Sequence, residues 1–397
     1  MQEKTSMDTV CKQDLCNGCM ACINVCNKGA ISIKDTLDAY NAVIDEKKCV
    51  HCNRCMRICP RNSTLDFKKP QLWLQGWAKE KNVREKSSSG GYATAIMSAF
   101  AERYNCYVVS CVFSGGKFVF DVAESSKECG RFAGSKYIKS NPVDAFKLVK
   151  KLLNENKKVL FLGLPCQVAG IKNYVGKNLE ENLYTIDLIC HGTPSPELLK
   201  QYLRESYKKE IQNFQNITFR KKNNFDLHEQ GVRLTPPSIQ DRYTIAFLDS
   251  LDYTKNCYSC EYARTERISD LSLGDSWATQ LPQDEVQKGI SLALCQTNKG
   301  RYLLDIADIM QFPVDIEASI LANKQLQRPS VLPKQRAKFF KRLEKSLSFS
   351  DSVLLAYPQK CLKQDIKSTL HRFGLWGGAE RQVTNMYTIT YYEKDDV

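Results

Sequence analysis

The chain has 397 residues, 43% of them hydrophobic and 25% charged, a composition that excludes a disordered or fibrous protein. At roughly 150 residues per domain, this length allows two or three domains with a large core. Lys and Arg number 57 against 44 Asp and Glu, a formal net charge of +13. That excess alone would suit nucleic acid or an acidic partner, but the sequence contains neither a helix-turn-helix nor a P-loop, so nucleic acid is not an expected partner. No apolar run approaches the length of about eighteen residues needed to cross a bilayer, and the start, MQEKTSMDTV, lacks a basic segment followed by an apolar one. A cytoplasmic location with no transmembrane segment is expected.

Eighteen cysteines in such a chain point to metal or redox chemistry, because a reducing compartment does not favour a disulfide framework. Nine of them lie in the first 59 residues. Cys16, Cys19, Cys22 and Cys26 follow C-x2-C-x2-C-x3-C, and Cys49, Cys52, Cys55 and Cys59 repeat it 33 residues later with Pro60 directly behind. This is the run of bacterial two-cluster ferredoxins. Zinc ribbons use two separated pairs instead of four thiolates in one short stretch. Three close cysteines can wrap one face of a cubane while the fourth is carried away to the other cluster. The expected sets are therefore Cys16, Cys19, Cys22 and Cys59, and Cys49, Cys52, Cys55 and Cys26. Cys11 stands outside the spacing and reads as a bystander. Thiolate-held clusters would also reduce the effective positive charge. An α+β ferredoxin-like domain with two 4Fe-4S clusters is expected over residues 1–69, ending near Lys68, Lys69 and Pro70.

From residue 70 to 330 apolar β-rich runs alternate with helical ones, as in an α/β domain. Residues 107–113 and 117–122, separated by Ser114, Gly115 and Gly116, read as a hairpin. Residues 143–156 read as an amphipathic helix, followed by a buried strand at 158–163 that runs into Pro165 and Cys166. A second buried strand, 183–190, ends at Cys190 and His191, and Ser195 and Pro196 begin the next helix. Functional groups of open α/β sheets gather at the carboxyl ends of strands, where Cys166 and Cys190 both fall. Ser87, Ser88, Ser89, Gly90 and Gly91 open a helix and offer hydroxyls and amides to a pyrophosphate, or form an ordinary linker. Lys136 beside Gly134 is similarly open to two readings. Cys257 and Cys260 form a C-x2-C that is half a zinc knuckle, a redox pair, or part of a further cluster with Cys166 and Cys190. Cys106, Cys111 and Cys295 fall inside predicted strands as small core residues.

Taken in order, the twin ferredoxin motif, SSSGGYATAI, GSKYIKS, GLPCQVAGIK, DLICHGTPSP and the CYSC to LGDSWA segment resemble the coenzyme F420 hydrogenase/dehydrogenase beta subunits, over residues 10–345. The plant 7-hydroxymethyl chlorophyll a reductase is of the same group. The resemblance implies an α/β FAD-binding body flanked by clusters, passing electrons between a one-electron carrier and a two-electron substrate. That substrate is coenzyme F420 or, in a bacterium lacking it, an undefined one, in several cases linked to surface-polysaccharide synthesis. It also implies flavin contacts at Ser87, Ser88, Ser89, Gly90, Gly91 and Lys136, and makes Cys166, Cys190, Cys257 and Cys260 candidate ligands of a third 4Fe-4S cluster. His191, which titrates near neutrality, is a candidate proton donor to the flavin or else a capping or core histidine. The expected partners are a ferredoxin or another oxidoreductase subunit, and a small-molecule substrate.

Residues 331–397 are expected to form a basic helical extension. Within it, residues 334–349 read as an amphipathic helix with Phe339, Phe340, Leu343 and Leu347 on the apolar side. A reading from a different class competes with the enzyme. In it the clusters work, but the body has lost its flavin and only docks a partner enzyme as an electron-transfer adaptor.

Overall fold

The computed structural model describes residues 8–103 and 105–375. The cysteine-rich start folds around a hairpin of β1 (Ile31–Asp35) and β2 (Tyr40–Ile44), paired antiparallel from Ile31↔Ile44 to Asp35↔Tyr40. Two five-residue helices, Ala21–Val25 and Arg54–Ile58, stand at matching places in the two motifs.

The body is built on one eight-stranded sheet. Its strands are β3 (Leu72–Ala78), β4 (Cys106–Ser114), β5 (Lys117–Ala123), β6 (Lys158–Gly163), β7 (Leu183–Leu188), β11 (Leu271–Asp275), β12 (Ser291–Cys295) and β13 (Ile309–Pro313), in the order β13-β3-β12-β11-β7-β6-β4-β5. The central neighbours β11, β7, β6 and β4 are parallel, and the outer ones are antiparallel. The hairpin read at 107–122 is β4 and β5, in register from Val108↔Ala123 to Ser114↔Lys117. Side chains alternate across the sheet. Val108 and Leu160 face a core with Tyr92, Ile96, Phe100 and Leu303, while Val109 and Phe161 face one with Phe146, Val149, Val168 and Ile171. Both faces are covered by helices, which is why β6 and β12 are nearly continuous apolar runs.

Between β7 and β11 the chain forms a small antiparallel sheet of β8 (Ile217–Lys221), β9 (Asn224–Glu229) and β10 (Val232–Arg233). Helix Pro196–Tyr207 begins as expected, with the Ser195 hydroxyl accepting from the Glu197 amide at 3.1 Å. The helix expected over 334–349 is shorter, Arg336–Glu344: the chain turns at Ser346 (φ 62°), so Leu347 lies beyond it and a separate helix begins at Phe349. Phe339, Phe340 and Leu343 are buried with Leu199, Tyr202, Phe219 and Phe349, so this helix is packed into the body. Residues 376–397 of the expected extension lie outside the described residues.

The segment joining module to body is stitched down. Lys68 and Arg267 exchange backbone hydrogen bonds at 2.7 and 2.9 Å, and the Gln71 amide donates to the Cys295 carbonyl at 2.7 Å. Arg267 and Asp187 form a fully buried ion pair at 2.8 Å, and Arg267 also donates to the carbonyls of Tyr262 and Leu188. Removing one partner of such a pair leaves an uncompensated charge. Arg267→Met is therefore expected to cost about 3–5 kcal/mol, read as a lower denaturation midpoint of the full chain.

Candidate functional site

The two cysteine motifs adopt the same local conformation. Gly18 and His51 both have positive φ (69° and 51°), as do Met20 and Asn53 (63° and 57°) just before each short helix. The Gly18 amide points at Cys16 Sγ and the His51 amide at Cys49 Sγ, both at 3.4 Å. The reversed backbone turns N–H groups towards the sulfurs, the concave arrangement that favours negative charge. Each fourth cysteine, Cys26 and Cys59, is extended and leaves its helix.

Cys59 departs towards the first motif. A pocket is lined by Cys16, Cys19, Cys22 and Cys59, with Val10, Met20 and Ile33 among its apolar walls. On the other side, the charges of Cys26 and Cys49 both raise the Cys55 pKa, after the larger effect of burial. Cys52 is exposed. The structure thus places Cys59 with the three cysteines of the first motif, and Cys26 and Cys49 within electrostatic reach of Cys55. Among the described residues no three His, Cys, Asp or Glu side chains are arranged for a single metal ion. The four thiols surround a space, which fits the donor chemistry of a cubane better than a tetrahedral zinc with ligands about 2.3 Å from one centre.

Cys11, which reads as a bystander by spacing, lines this pocket. Hydrogen bonds to Cys16 and Cys59, followed by burial, push its pKa up and keep it a thiol. The Cys11 hydrogen bond in turn lowers Cys16 to about 7 against burial. The Val10 amide donating to Ala42 O at 2.9 Å, and Asn62 Nδ2 donating to Val10 O at 2.8 Å, place Cys11 there, a tertiary event with no motif to signal it.

The four body cysteines also converge. Cys166 is the second residue of helix Pro165–Val175, directly after β6, and Cys190 lies two residues beyond β7. The loop carrying Cys257 and Cys260 is held against the segment after Cys190 by the Thr254 amide donating to Thr193 O at 3.1 Å. Burial, then the other three thiols, raises Cys190 well above its ordinary value. Burial raises Cys166 to about 12 and Cys260 to about 11, with neighbouring cysteines of the set adding to both. Four half-buried or buried thiols within electrostatic reach of one another are poorly suited to ionise alone, but a cationic centre would favour all of them as thiolates.

The serine–glycine turn is more occupied than its composition suggests. Ser87 donates to Val83 O at 2.8 Å, and Ser89 to Ile290 O at 2.9 Å. Ser88 accepts from the Ser135 amide at 2.8 Å, so this turn and the Gly134–Lys136 turn meet. A Cβ on Gly90 would stand 2.4 Å from Gly76 O and 2.6 Å from the Ser291 amide. Gly90 is thus required by packing against the sheet, and Gly91 holds φ at +92° where its helix begins. Lys136 donates its ammonium to the carbonyls of Phe132 and Ala133 at 2.6 and 3.1 Å. Lys222 belongs to no sequence motif. It reaches the Arg84 carbonyl and donates to Ser89 O at 2.9 Å, and burial, then Arg84 and Arg220, lowers its pKa to about 8.

His191 sits with its carbonyl accepting from Ser330 Oγ at 2.6 Å. Surrounding protein lowers its pKa, which Asp275 opposes and Arg220 reinforces. Arg220 in turn makes a two-pronged pair with Asp275 at 2.6 and 2.9 Å, and its guanidinium lies over Phe225 and Trp277 at 4.7 and 5.1 Å. The segment that reads LGDSWA therefore contributes Asp275 and Trp277 to a cationic and aromatic wall near His191.

A cysteine-lined module joined to a mixed α/β body is the architecture of an iron–sulfur oxidoreductase component. Residues 15–63 match the 4Fe-4S dicluster domain. Residues 73–147 and 156–312 match the N- and C-terminal parts of the coenzyme F420 hydrogenase/dehydrogenase beta subunit. The chain belongs to that family. It is 23% identical over 302 residues to a subunit of the F(420)H(2) dehydrogenase of Methanosarcina mazei, covering 70% of this chain and 81% of that one. It is 22% identical over 329 residues to the coenzyme F420-dependent sulfite reductase of Methanocaldococcus jannaschii, covering 77% of this chain and 48% of that protein, about half its length. Among solved structures, the F420-reducing [NiFe] hydrogenase complex of Methanosarcina barkeri aligns with a TM-score of 0.48 at 17% identity, over 67% of this chain and 92% of that one.

Proposed function

We propose that this protein is an iron–sulfur flavoprotein that passes electrons between a one-electron carrier and a two-electron substrate, coenzyme F420 or another hydride acceptor. The Cys16 and Cys49 sets each hold a 4Fe-4S cluster, and Cys166, Cys190, Cys257 and Cys260 hold a third. The observation that carries this reading is the order of the sites in space. Cys52 is exposed, the first pocket is buried, and Cys19 of that pocket packs on the helix that carries Cys166. The carrier side is basic: Lys28, Lys47, Lys48, Arg54 and Arg57 are exposed around the second motif, which suits an acidic redox partner.

FAD, when bound, supplies the exchange between one-electron and two-electron transfer. Lys222, the amides of the serine–glycine turn and Ser88 would hold its anionic part, and His191 would face the reacting end. Lys222→Met removes a cation from this turn without altering Gly90 packing. It is expected to weaken flavin retention about tenfold, the loss of one charge-assisted hydrogen bond of about 1.5 kcal/mol, measured by flavin release during dialysis.

The engaged hydroxyls of Ser87 and Ser89 and the ammonium groups of Lys136 and Lys222, each already bonded to two carbonyls, favour the second reading, an adaptor without flavin. Anaerobic purification followed by iron, sulfide and acid-released flavin analysis separates the two. About twelve iron atoms and one flavin per chain are expected. A folded protein with iron but no flavin, even after incubation with FAD, supports the adaptor and overturns the flavoprotein.

A further inference from the structure

The module and the body meet at a junction where parts of two thiol sets come within a few side chains of each other. A Cβ built on Gly170 would lie 2.9 Å from Cys19 Cβ and 3.1 Å from Cys19 Sγ. Gly170 follows Cys166 by four residues on helix Pro165–Val175, so the two positions share one helix face about one turn apart. On the other side of the junction, Asn256 donates through Nδ2 to Asn17 Oδ1 at 3.4 Å. These two residues are the sequence neighbours of Cys257 and Cys16. The first pocket and the body set are therefore tied together at two points.

Lys139 runs through this junction. It is 4% exposed, donates its ammonium to the Asn17 carbonyl at 3.2 Å, and stands 5.3 Å from the centre of the Tyr40 ring. Its Cδ is 3.0 Å from where a Cβ on Gly18 would be, so the side chain lies along the backbone of the first cysteine motif. Asp35 is within electrostatic reach of Lys139, but that carboxylate is engaged by the Ser195 hydroxyl and the Leu37 amide. On the body side the Lys139 segment is tied to the body set: the Lys139 amide donates to Pro194 O at 3.0 Å, four residues after Cys190, and Gln167, next to Cys166, donates to Ser140 O and Oγ at 3.3 and 3.0 Å. A buried ammonium costs several kcal/mol unless anions compensate it. The anions it faces from two sides are the prospective thiolates.

We propose that Lys139 is a shared counter-charge for the thiolate centres on the two sides of the module–body junction, raising the reduction potential of both. The half of this inference that concerns the body set rests on the third-cluster reading given above. An electron added at either centre brings one negative charge and neither makes nor breaks a bond. A fixed cation close by stabilises that added charge by Coulomb attraction, which is strong where water is excluded. The Cys26, Cys49, Cys52 and Cys55 set is more exposed than the first, with Cys52 at the surface. It serves as the internal control.

The test is redox potentiometry followed by EPR on the full-length protein, comparing the unsubstituted chain with Lys139→Gln, Lys139→Met and Lys139→Arg. Gln keeps a donor for the Asn17 carbonyl and loses only the charge. The neutral variants are expected to lower the midpoint of the signal that Cys59→Ser removes and of the one that Cys190→Ser removes. The signal that Cys49→Ser removes should not shift, and Lys139→Arg should restore the first two. Unchanged midpoints, or an equal shift of all signals, would overturn the proposal. Loss of iron in both neutral variants but not in Arg would support the same need for charge at assembly. Loss in all three would show that the side chain acts by packing and overturn it. An unsubstituted protein with only two signals would remove the third-cluster reading, while the Cys59-dependent signal would still decide the role of Lys139.

Discussion

Cys59→Ser is expected to abolish the same iron–sulfur signal as Cys16→Ser, although 43 residues separate the two positions, and Cys26→Ser should abolish the one lost in Cys49→Ser. The reason is the crossing of the fourth cysteines. Cys59 leaves helix Arg54–Ile58 in an extended conformation and lines the pocket with Cys16, Cys19 and Cys22. Serine is nearly isosteric but a much poorer ligand for iron than a thiolate, so each change should cost about four iron atoms or convert the cluster to a three-iron form. EPR of the reduced full-length variants, with iron analysis beside it, measures this. If Cys59→Ser grouped with Cys49→Ser instead, the two clusters would be wired within each motif and the pocket would have been misassigned.

Cys190→Ser and Cys257→Ser are each expected to lower the iron content of the full chain by about four atoms while both ferredoxin-type signals remain. Removal of residues 1–65 would be a poor way to isolate this set. Cys19 and Ala21 belong to the same buried core as Phe146, Val168 and Ile171, and their loss would open it to water. Single substitutions leave that core closed. The loop with Cys257 and Cys260 is held through Arg267 and Asp187, and the adjoining Thr254 is bonded to Thr193, so serine at one position should not displace the others. Unchanged iron in either folded variant would return these cysteines to the substrate pocket or the core.

The sequence by itself determined the local part of this protein. Four cysteines at fixed spacing, repeated once, specify a folded-back loop with a short helix, because the ligand geometry is written in residues a few positions apart. The β4–β5 hairpin, the buried β6 and the capped helix after Ser195 were legible for the same reason: period and turn chemistry are local. The antiparallel outer strands β3, β12 and β13 were not separately legible. β3 lies more than 200 residues from both of its partners, as in the pairing of Gly76 with Ser291, and short apolar runs alone do not reveal which strand lies beside which.

Only the tertiary structure decided what the ambiguous residues do. By its local sequence Gly90 reads as a phosphate-facing position, yet packing against Gly76 and Ser291 accounts for it. Lys136 reads as available, but it satisfies two carbonyls of a turn, whereas Lys222 reaches the serine–glycine turn from a sheet more than 130 residues away in sequence. Cys11 and Lys139 carry no spacing signal at all. Their positions beside the first thiol set arise because folding brings the β1–β2 module against the body, where exclusion of water makes the place of each charge matter far more than it does along an extended chain.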